Sequence, residues 1–438
     1  MDDATPPENN AIHLMRDPLI KHHNLAECNR ANGLKMIRRD AMDYIPVASQ
    51  IVDDDDLYLL QETCLKKQFA GGEMTRIFEK KLTPWFGRTT SGLLVNSGSS
   101  ANLLALSALE DMKPGDEVIT VAAGFPTTVN PIIQNGWVPV FVDIDPLTLN
   151  TTLDRVIEAK SERTRAVILA HTLGNPYRAD LIAEWCKKEG LYFIEDCCDA
   201  IGATIQGKQV GSFGDYATCS FYPAHHISMG EGGAVLSANG KLRRRAASFR
   251  DWGRDCWCDP GCDDTCGKRF EQCAGSLPAG YDHKYIYSVM GYNLKATEMQ
   301  ASLGVSQLDK LQSFIQSRRN NHAKILAGLE SIPKMPLIPI QSDPICSPSW
   351  FGFPMLCDPS VDRSKLLQFL ESKGIGTRLV FGGNLTRQPV YQDVKYRIVQ
   401  DLSGTDQVMD RAFWIGVHPA LNDSKINYMI EQIKLGIV

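Results

Sequence analysis

The chain has 438 residues, of which 43% are hydrophobic and 22% charged, a composition typical of globular proteins with a large apolar core. Its 46 basic and 51 acidic residues give a formal net charge of −5, which argues against a nucleic-acid-binding surface. No apolar run approaches the roughly 18 residues that span a bilayer, and the acidic N-terminus is unlike a secretory signal. We therefore expect a cytoplasmic protein that binds neither membranes nor nucleic acid.

The first part of the chain predicts an extension followed by a large α/β domain. Residues 1–45 are polar and lack periodicity, whereas the amphipathic run Met74–Leu82 predicts a helix. Short apolar runs then alternate with helical stretches such as Ala101–Leu109 and Leu181–Lys188, an alternation typical of a mostly parallel sheet covered by helices. The seven predicted strands are Leu93–Asn96, Glu117–Ala122, Val138–Asp143, Ala166–Ala170, Tyr192–Glu195, Tyr216–Ser220 and Gly233–Ser237.

The segment 249–282 interrupts this pattern. It carries five cysteines among glycine, proline and aspartate residues, and it is too polar to be a buried element. We expect a loop that is held by something other than an apolar core. A long helical pattern from about residue 297 to 327 then links the large domain, residues 46–327, to a smaller C-terminal α+β domain, residues 328–438.

Two short segments of the large domain carry candidate ligand-binding residues. The turn Ser97–Asn102 follows a predicted strand and opens a helix, where backbone N–H groups and hydroxyls suit a phosphate, although a simple N-cap explains the same residues. Asp196 lies at the carboxyl end of the fifth predicted strand, where α/β sheets bind ligands. Such a carboxylate can keep a pyridinium nitrogen protonated. Taken alone, however, Asp196 is equally consistent with a helix cap or a solvated loop acid.

In combination these segments resemble the fold type I sugar aminotransferases of the DegT/DnrJ/EryC/StrS family. The resemblance covers about residues 45–438 and includes the runs Ser220–Gly233, Asp143–Pro146 and Gly291–Lys295. It implies an aspartate-aminotransferase-like fold, a vitamin B6 cofactor and a homodimer with shared active sites. By resemblance, Ser99, Ser100 and Ser220 bind the cofactor phosphate, Phe125 stacks on its ring, Asp196 pairs with the ring nitrogen, and Asn293 reaches the phosphate of the neighbouring subunit.

The chain departs from this family at the reactive residue. His225 stands where the aminotransferases carry lysine, and no lysine occurs between Lys208 and Lys241. Imidazole cannot form the Schiff base of a lysine enzyme, so we expect pyridoxamine 5′-phosphate to bind non-covalently with His225 as a general base. Tyr222 and Asp199 also replace residues usual in the family, and with Asp196 they complete the candidate catalytic set. A decayed pseudoenzyme is the alternative.

Four cysteines have a spacing that suggests a metal site. Cys198, Cys256, Cys258 and Cys266 follow the pattern C-x57-C-x-C-x7-C, and four thiolates suit either zinc or an iron–sulfur cluster. Disulfides are not expected in a reducing compartment. Because Cys198 follows the ring-binding Asp196 by two residues, a metal on Cys198 would lie close to the cofactor, which favours a redox cluster. Cys262 and Cys273 are possible substitutes for one ligand.

This cysteine pattern and the surrounding SFRDWGRDCWC resemble the pyridoxamine- and [2Fe–2S]-dependent nucleotide-sugar 3-dehydrases. The resemblance implies C3 deoxygenation of a nucleotide-linked 4-keto-6-deoxyhexose, foremost CDP-4-keto-6-deoxy-D-glucose, to give a 3,6-dideoxyhexose precursor for lipopolysaccharide. It also implies an electron-donating partner, an NADH-dependent flavin/iron–sulfur reductase.

Four alternatives remain open at this stage. They are a dTDP-4-keto-2,6-dideoxyglucose 3-dehydrase of antibiotic deoxysugar synthesis, a 3-dehydrase without a cluster, an aminotransferase relative with a structural zinc loop, and a non-enzymatic regulator of the same fold. The candidate contacts to the sugar nucleotide lie in the C-terminal domain, where a solvated loop is the competing interpretation; they are Arg378, Asn384, Arg387 and Gln388.

Overall fold

The computed structural model describes residues 44–88, 92–256, 258, 264–271 and 274–437. Nearly all of the predicted N-terminal extension therefore lies outside the described residues, as do Cys262 and Cys273. From Ile45 onward the chain forms one compact unit. In the described ranges, no helix is both long and apolar enough to cross a membrane.

The described residues form β-strands that group into one large and two small sheets. In chain order the strands are β1 (Leu93–Val95), β2 (Glu117–Val121), β3 (Val138–Val142), β4 (Thr164–Ala170), β5 (Tyr192–Asp196), β6 (Thr204–Ile205), β7 (Lys208–Gln209), β8 (Tyr216–Ser220), β9 (Gly233–Leu236), β10 (Leu337–Pro339), β11 (Cys346–Ser347), β12 (Gly352–Cys357), β13 (Arg397–Ile398) and β14 (Ala412–Gly416).

The α-helices cover the large sheet and pack around the C-terminal strands. In chain order they are α1 (Asp54–Leu65), α2 (Glu73–Leu82), α3 (Gly98–Ser107), α4 (Pro126–Gln134), α5 (Leu153–Glu158), α6 (Ala179–Glu189), α7 (Gly240–Arg250), α8 (Glu298–Glu330), α9 (Arg363–Ser372), α10 (Ser403–Arg411) and α11 (Asp423–Gly436).

The large sheet confirms the predicted α/β class and all seven predicted strands. Its order is β1-β9-β8-β5-β4-β2-β3-β13. β9 runs antiparallel to both neighbours, and the pairs from β8 to β13 are parallel. The eighth strand, β13, comes from the C-terminal part of the chain and was not predicted, because two residues carry too short a pattern to be read from sequence.

Helices cover both faces of the large sheet, and the side chains of β4 show how. Val167 and Leu169 belong to the apolar cluster that contains Leu311 of α8. Ile168, which points to the opposite face, packs in a second cluster with Leu104 of α3. Because successive strand residues alternate between faces, a sheet covered on both sides needs a nearly continuous apolar sequence, as β3 has.

The C-terminal part of the chain has an apolar core of its own. The antiparallel sheet β10-β12-β14 packs with α9, α11 and the end of α8 around residues such as Phe353, Leu370 and Ile433. The long helix α8 begins at a capping box formed by Thr297 and Gln300. The predicted domain boundary between residues 327 and 328 stays a prediction, since the chain from Ile45 onward clusters as one unit.

Candidate active site

The carboxyl ends of β5 and β8 meet the N-terminus of α3, and this junction forms the centre of the candidate site. Asp196, the last residue of β5, is buried. Its Oδ2 accepts hydrogen bonds from Asn102 Nδ2 at 2.8 Å and Thr128 Oγ1 at 2.7 Å. Asn102 is itself oriented by Thr218, whose hydroxyl donates to Asn102 Oδ1 at 2.6 Å. The carboxylate is thus held in one orientation, as expected for a group that must meet a ring nitrogen.

A polar cradle lies beside Asp196, at the start of α3. Ser97 caps the helix, and its Oγ accepts the N–H of Ser100 at 3.1 Å. Gly98 is required here: a Cβ on this residue would lie 2.4 Å from Ser220 Cβ and 2.7 Å from Ser220 Oγ. The glycine therefore brings the hydroxyl of Ser220 against the positive end of the helix, next to the exposed Ser99. This arrangement fits a phosphate group.

The ring of Phe125 supplies an aromatic surface three residues before Thr128, which bonds Asp196. Phe125 precedes α4 and is 52% exposed, so its face is open to a ligand. Its edge contacts Phe381 at a centroid distance of 5.9 Å. An anion cradle, an oriented carboxylate and an open aromatic face are the three elements that a pyridoxal-type cofactor needs, so the residues present fit the group that the sequence predicts.

His225 lies in the same region, with its side chain mostly buried. Its Nδ1 is 3.6 Å from Asp199 Oδ1 and has no hydrogen-bond partner among the described residues. The imidazole ring also contacts the Phe351 ring at 5.2 Å. Asp199 is held from the other side by the N–H of Leu173, which donates to Asp199 Oδ2 at 3.2 Å. The structure thus brings together two of the predicted catalytic residues, His225 and Asp199.

Burial disfavours charge on both members of this pair. It lowers the pKa of His225 to about 3, with the Arg318 guanidinium acting in the same direction. Burial and the neighbouring Asp196 carboxylate raise the pKa of Asp199 to about 7. The 3.6 Å between His225 Nδ1 and Asp199 Oδ1 is short enough for an ion pair. Both pKa shifts disfavour the charged forms, however, so we take the imidazole to be neutral. A neutral imidazole is the form that accepts a proton.

Arg318 is a site residue that the sequence analysis missed. It lies in α8 and is fully buried, and its Nη2 donates to the carbonyl oxygen of His225 at 3.2 Å while its Nη1 donates to that of Phe351 at 3.0 Å. The guanidinium thereby connects the His225 loop to the C-terminal part of the chain. Nothing local in the sequence singles it out, because arginine is common in long helices and its burial depends on tertiary packing.

Two other predicted residues lie further from this pair. Tyr222 is 51% exposed, and its ring contacts His225 at a centroid distance of 6.4 Å. Asn293 is exposed, forms a β-bridge with Asp251, and its Oδ1 accepts from Lys295 Nζ at 2.6 Å. Its predicted role requires a second subunit and stays a prediction.

The candidate sugar contacts lie in a segment that borders the cofactor region. Leu385 N donates to Ala122 O, just before Phe125, and Asn384 forms a bridge with Ala123. The side chains are engaged within the chain. Asn384 Nδ2 donates to Asp406 at 2.9 Å, Arg387 pairs with the same carboxylate at 3.3 Å, Gln388 Nε2 donates to Gly382 O, and Arg378 Nη1 donates to Thr377 O.

The predicted metal ligands divide between two places. Cys256, Cys258 and Cys266 converge on the ring of His283, a residue that the sequence analysis did not select. Cys198 lies instead in the cofactor region, where its Sγ would be 3.2 Å from a Cβ on Gly98. Burial and the Asp196 carboxylate raise the pKa of the Cys198 thiol well above its ordinary value. All cysteines in the described ranges are free thiols.

Comparison with known proteins places this geometry in a context. Residues 50–434 match the DegT/DnrJ/EryC1/StrS aminotransferase family. The chain is 52% identical over 392 residues to dTDP-4-dehydro-2,6-dideoxy-D-glucose 3-dehydratase of Saccharopolyspora spinosa, an alignment covering 87% of this chain and 84% of that protein. It is 48% identical over 399 residues to lipopolysaccharide biosynthesis protein RfbH of Salmonella typhimurium, an alignment covering 89% of this chain and 91% of that protein.

Solved structures agree with the fold prediction. The Escherichia coli GDP-4-keto-6-deoxy-D-mannose-3-dehydratase with bound hydrated PLP superposes with a TM-score of 0.79 at 29% sequence identity, covering 89% of this chain and 99% of that chain. The fold is therefore that of the pyridoxal-phosphate-dependent sugar aminotransferases and dehydratases.

Proposed function

The chain belongs to the DegT/DnrJ/EryC1/StrS aminotransferase family, and from this premise we propose that it is a nucleotide-sugar 3-dehydratase. Its substrate is a 4-keto-6-deoxyhexose linked to a nucleoside diphosphate, and the reaction removes the C3 hydroxyl group. The observation that carries this proposal is His225: a mostly buried neutral base stands where a family aminotransferase would carry its Schiff-base lysine. Relatives bearing the name 3-dehydratase support the same reaction class.

The residues around Asp196 would hold the cofactor. When bound, pyridoxamine 5′-phosphate supplies an amine that condenses with the 4-keto group and a ring that takes up the electrons released on deprotonation. Ser99, Ser100 and Ser220 would bind the phosphate at the start of α3. Asp196 keeps the ring nitrogen protonated, because its orientation by Asn102 and Thr128 leaves the carboxylate ready to accept that N–H.

His225 performs the proton transfer. Its neutral imidazole accepts the proton, and the neighbouring Asp199 stabilises the imidazolium that results, because its carboxylate lies 3.6 Å from Nδ1. Arg318 positions the loop through the carbonyl oxygen of His225. Tyr222, whose ring is half exposed and contacts the imidazole at a centroid distance of 6.4 Å, completes the catalytic set.

Completion of the reaction requires a reductant. Replacing the C3 hydroxyl by hydrogen consumes two electrons and two protons and releases one water. The thiols of the cysteine loop would hold a [2Fe–2S] cluster, which would supply the electrons one at a time. The electrons come from NADH through a separate flavin/iron–sulfur reductase. Asn293, exposed on one subunit, would reach the phosphate of its neighbour in a homodimer.

We place this enzyme in the cytoplasm, since free cysteines throughout the described ranges suit a reducing compartment. For the nucleotide, the sequence prediction is CDP, with a product that is a precursor of lipopolysaccharide dideoxysugars. The 52% identity to a dTDP-sugar dehydratase favours dTDP-4-keto-2,6-dideoxyglucose as the second candidate.

The test is an anaerobic assay of the purified protein with pyridoxamine 5′-phosphate, dithionite and each of the two nucleotide sugars in turn. We expect a product that has lost one oxygen atom by mass spectrometry, formed only when dithionite is present. Glutamate-dependent amination of the sugar in place of oxygen loss would overturn the proposal. Zinc in place of iron and acid-labile sulfide would overturn the redox part of it.

A further inference from the structure

One aromatic residue beside the cofactor region has a strained backbone. Phe381 lies in the segment 378–388 and has a φ of 47°, in the left-handed region. A bulky side chain rarely adopts this conformation, because its Cβ then comes close to a backbone carbonyl oxygen. Such strain persists only where the surrounding structure holds it, and it is concentrated at ligand sites. The backbone of Phe381 therefore indicates that the position of its ring matters.

Backbone hydrogen bonds hold this segment against the turn that carries Phe125. Gly382 N donates to Gly124 O at 3.2 Å. The two backbones approach so closely that a Cβ on Gly382 would lie 3.3 Å from the same oxygen. Further along, Leu385 N donates to Ala122 O at 3.0 Å. A shift of the segment would therefore displace the turn.

The start of the segment is anchored to a buried strand. Arg378 and Trp414 of β14 exchange backbone hydrogen bonds at 3.0 and 2.8 Å. The indole Nε1 of Trp414 also donates to Leu379 O at 3.1 Å. The same indole ring contacts Phe351 at a centroid distance of 5.3 Å, and the Phe351 ring contacts His225. The anchor of the segment therefore belongs to the aromatic group that borders the proposed base.

The ring of Phe381 meets the ring of Phe125 at nearly a right angle. The two centroids are 5.9 Å apart and the ring planes make an angle of 86°. The ring quadrupoles favour this edge-to-face arrangement, so the contact restricts the orientation of both rings. About half of the Phe125 side chain is exposed, so protein neighbours can support its ring only from one side. Phe381 supplies support on that side.

The first turn of α4 connects Phe125 to the carboxylate of Asp196. The carbonyl oxygen of Phe125 accepts the N–H of Thr128 at 3.2 Å, and Thr128 Oγ1 donates to Asp196 Oδ2 at 2.7 Å. A ring that must lie flat on a cofactor and a carboxylate that must meet its nitrogen need a fixed relative position. The backbone provides it for the Cα of Phe125, whereas the ring itself needs a side-chain contact.

We propose that Phe381 is a positioning residue for the cofactor: its ring holds the ring of Phe125 in the orientation that stacks on the pyridine. The left-handed backbone of Phe381 aims its ring at Phe125, because φ and ψ set the direction in which Cβ leaves the backbone. The proposal rests on the proposed function in one respect, that Phe125 is the residue that stacks on the cofactor. The contribution of Phe381 to cofactor binding therefore passes through Phe125.

The test is a titration of the full-length protein with pyridoxamine 5′-phosphate, followed by protein fluorescence and by the circular dichroism band that the cofactor acquires when its ring is held in one orientation. Phe381→Asn removes the ring, and asparagine adopts the left-handed conformation more readily than other residues with a side chain. Phe381→Leu keeps an apolar side chain without an aromatic edge. We expect both variants to bind about twofold to tenfold more weakly and to show less dichroism per bound cofactor. Phe381→Tyr should keep the wild-type affinity and dichroism.

A double-mutant cycle shows whether the effect passes through Phe125. Phe125→Ala alone should weaken binding, and adding Phe381→Asn to it should cause no further loss. Lys334→Asn is the matched control, because Lys334 also has a left-handed backbone, with a φ of 53°, at an exposed position after α8. This control should leave the affinity and the dichroism unchanged.

The outcomes separate the role of Phe381 from the proposed function. Wild-type affinity and dichroism in both Phe381→Asn and Phe381→Leu would overturn the proposal, as would an undiminished effect of Phe381→Asn in the Phe125→Ala background. Wild-type binding by Phe125→Ala would instead overturn the assignment of Phe125 as the stacking residue, and the role of Phe381 with it. The titration measures no turnover, so its result is independent of whether the protein removes the C3 hydroxyl group.

Discussion

Asp199 offers a direct test of how His225 transfers a proton, because the Asp199 carboxylate faces the imidazole at 3.6 Å. We expect Asp199→Asn to slow proton transfer to His225 and to leave cofactor binding unchanged. The asparagine keeps the size of the side chain, and its Oδ1 can still accept the N–H of Leu173. The substitution therefore removes the negative charge and little else.

The size of the effect follows from the separation of the two groups. At 3.6 Å and an effective dielectric constant of about 20, an imidazolium and a carboxylate attract each other by about 5 kcal/mol. Each 1.36 kcal/mol lost from a barrier corresponds to about tenfold in rate, and the proton is only partly transferred in the transition state. We therefore expect proton transfer to slow by about 10²- to 10³-fold.

The pH dependence follows from the two pKa shifts. Since the pKa of His225 is lowered to about 3, the imidazole stays a free base across the neutral range. Since the pKa of Asp199 is raised to about 7, its carboxylate forms as the pH rises through that value. The wild-type rate should therefore increase through about pH 7, and the rate of Asp199→Asn should be low and independent of pH there.

The assay is the loss of deuterium from C4′ of labelled pyridoxamine 5′-phosphate in the presence of substrate, followed by mass spectrometry. Asp358→Asn is the matched control, since the Asp358 side chain accepts hydrogen bonds from the N–H and the hydroxyl of Ser360 in an exposed turn of the C-terminal part. An Asp199→Asn profile that still rises through pH 7, or a wild-type profile that is flat, would refute the reasoning.

Two further predictions address the cofactor site. Gly98→Ala should weaken pyridoxamine 5′-phosphate binding about tenfold to a hundredfold, because the new Cβ would lie 2.4 Å from Ser220 Cβ, and overpacking of this kind costs about 1–3 kcal/mol. Fluorescence titration of the protein with the cofactor measures the affinity. Gly240→Ala is the control, because a Cβ on Gly240 would meet open space. Equal affinities of Gly98→Ala and wild type would contradict the assignment of the phosphate cradle. His225→Lys should form a covalent, borohydride-trappable adduct with pyridoxal phosphate and lose C3 deoxygenation; an equal adduct in wild type would show that a different lysine reacts.

The sequence by itself determined the class of fold and predicted the residues at the centre of the candidate site. Each of the seven predicted strands carries its own apolar pattern, and Asp196 could be placed because the carboxyl end of a parallel strand is recognisable locally. The exchange of lysine for His225 is likewise a local feature that can be read in one motif. These inferences needed no knowledge of which distant residues meet.

Tertiary structure decided which side chains complete that site. Arg318 and Asn102 reach His225 and Asp196 only because α8 and α3 pack against the sheet, and neither contact leaves a periodic signal in the sequence. The spacing of the cysteines grouped Cys198 with the loop thiols, and this ligand set stays a prediction; in the fold the Cys198 thiol lies against Gly98, and His283 lies beside Cys256 and Cys258. Spacing measures distance along the chain, while ligation and proton transfer depend on distances in space that only the packed chain sets.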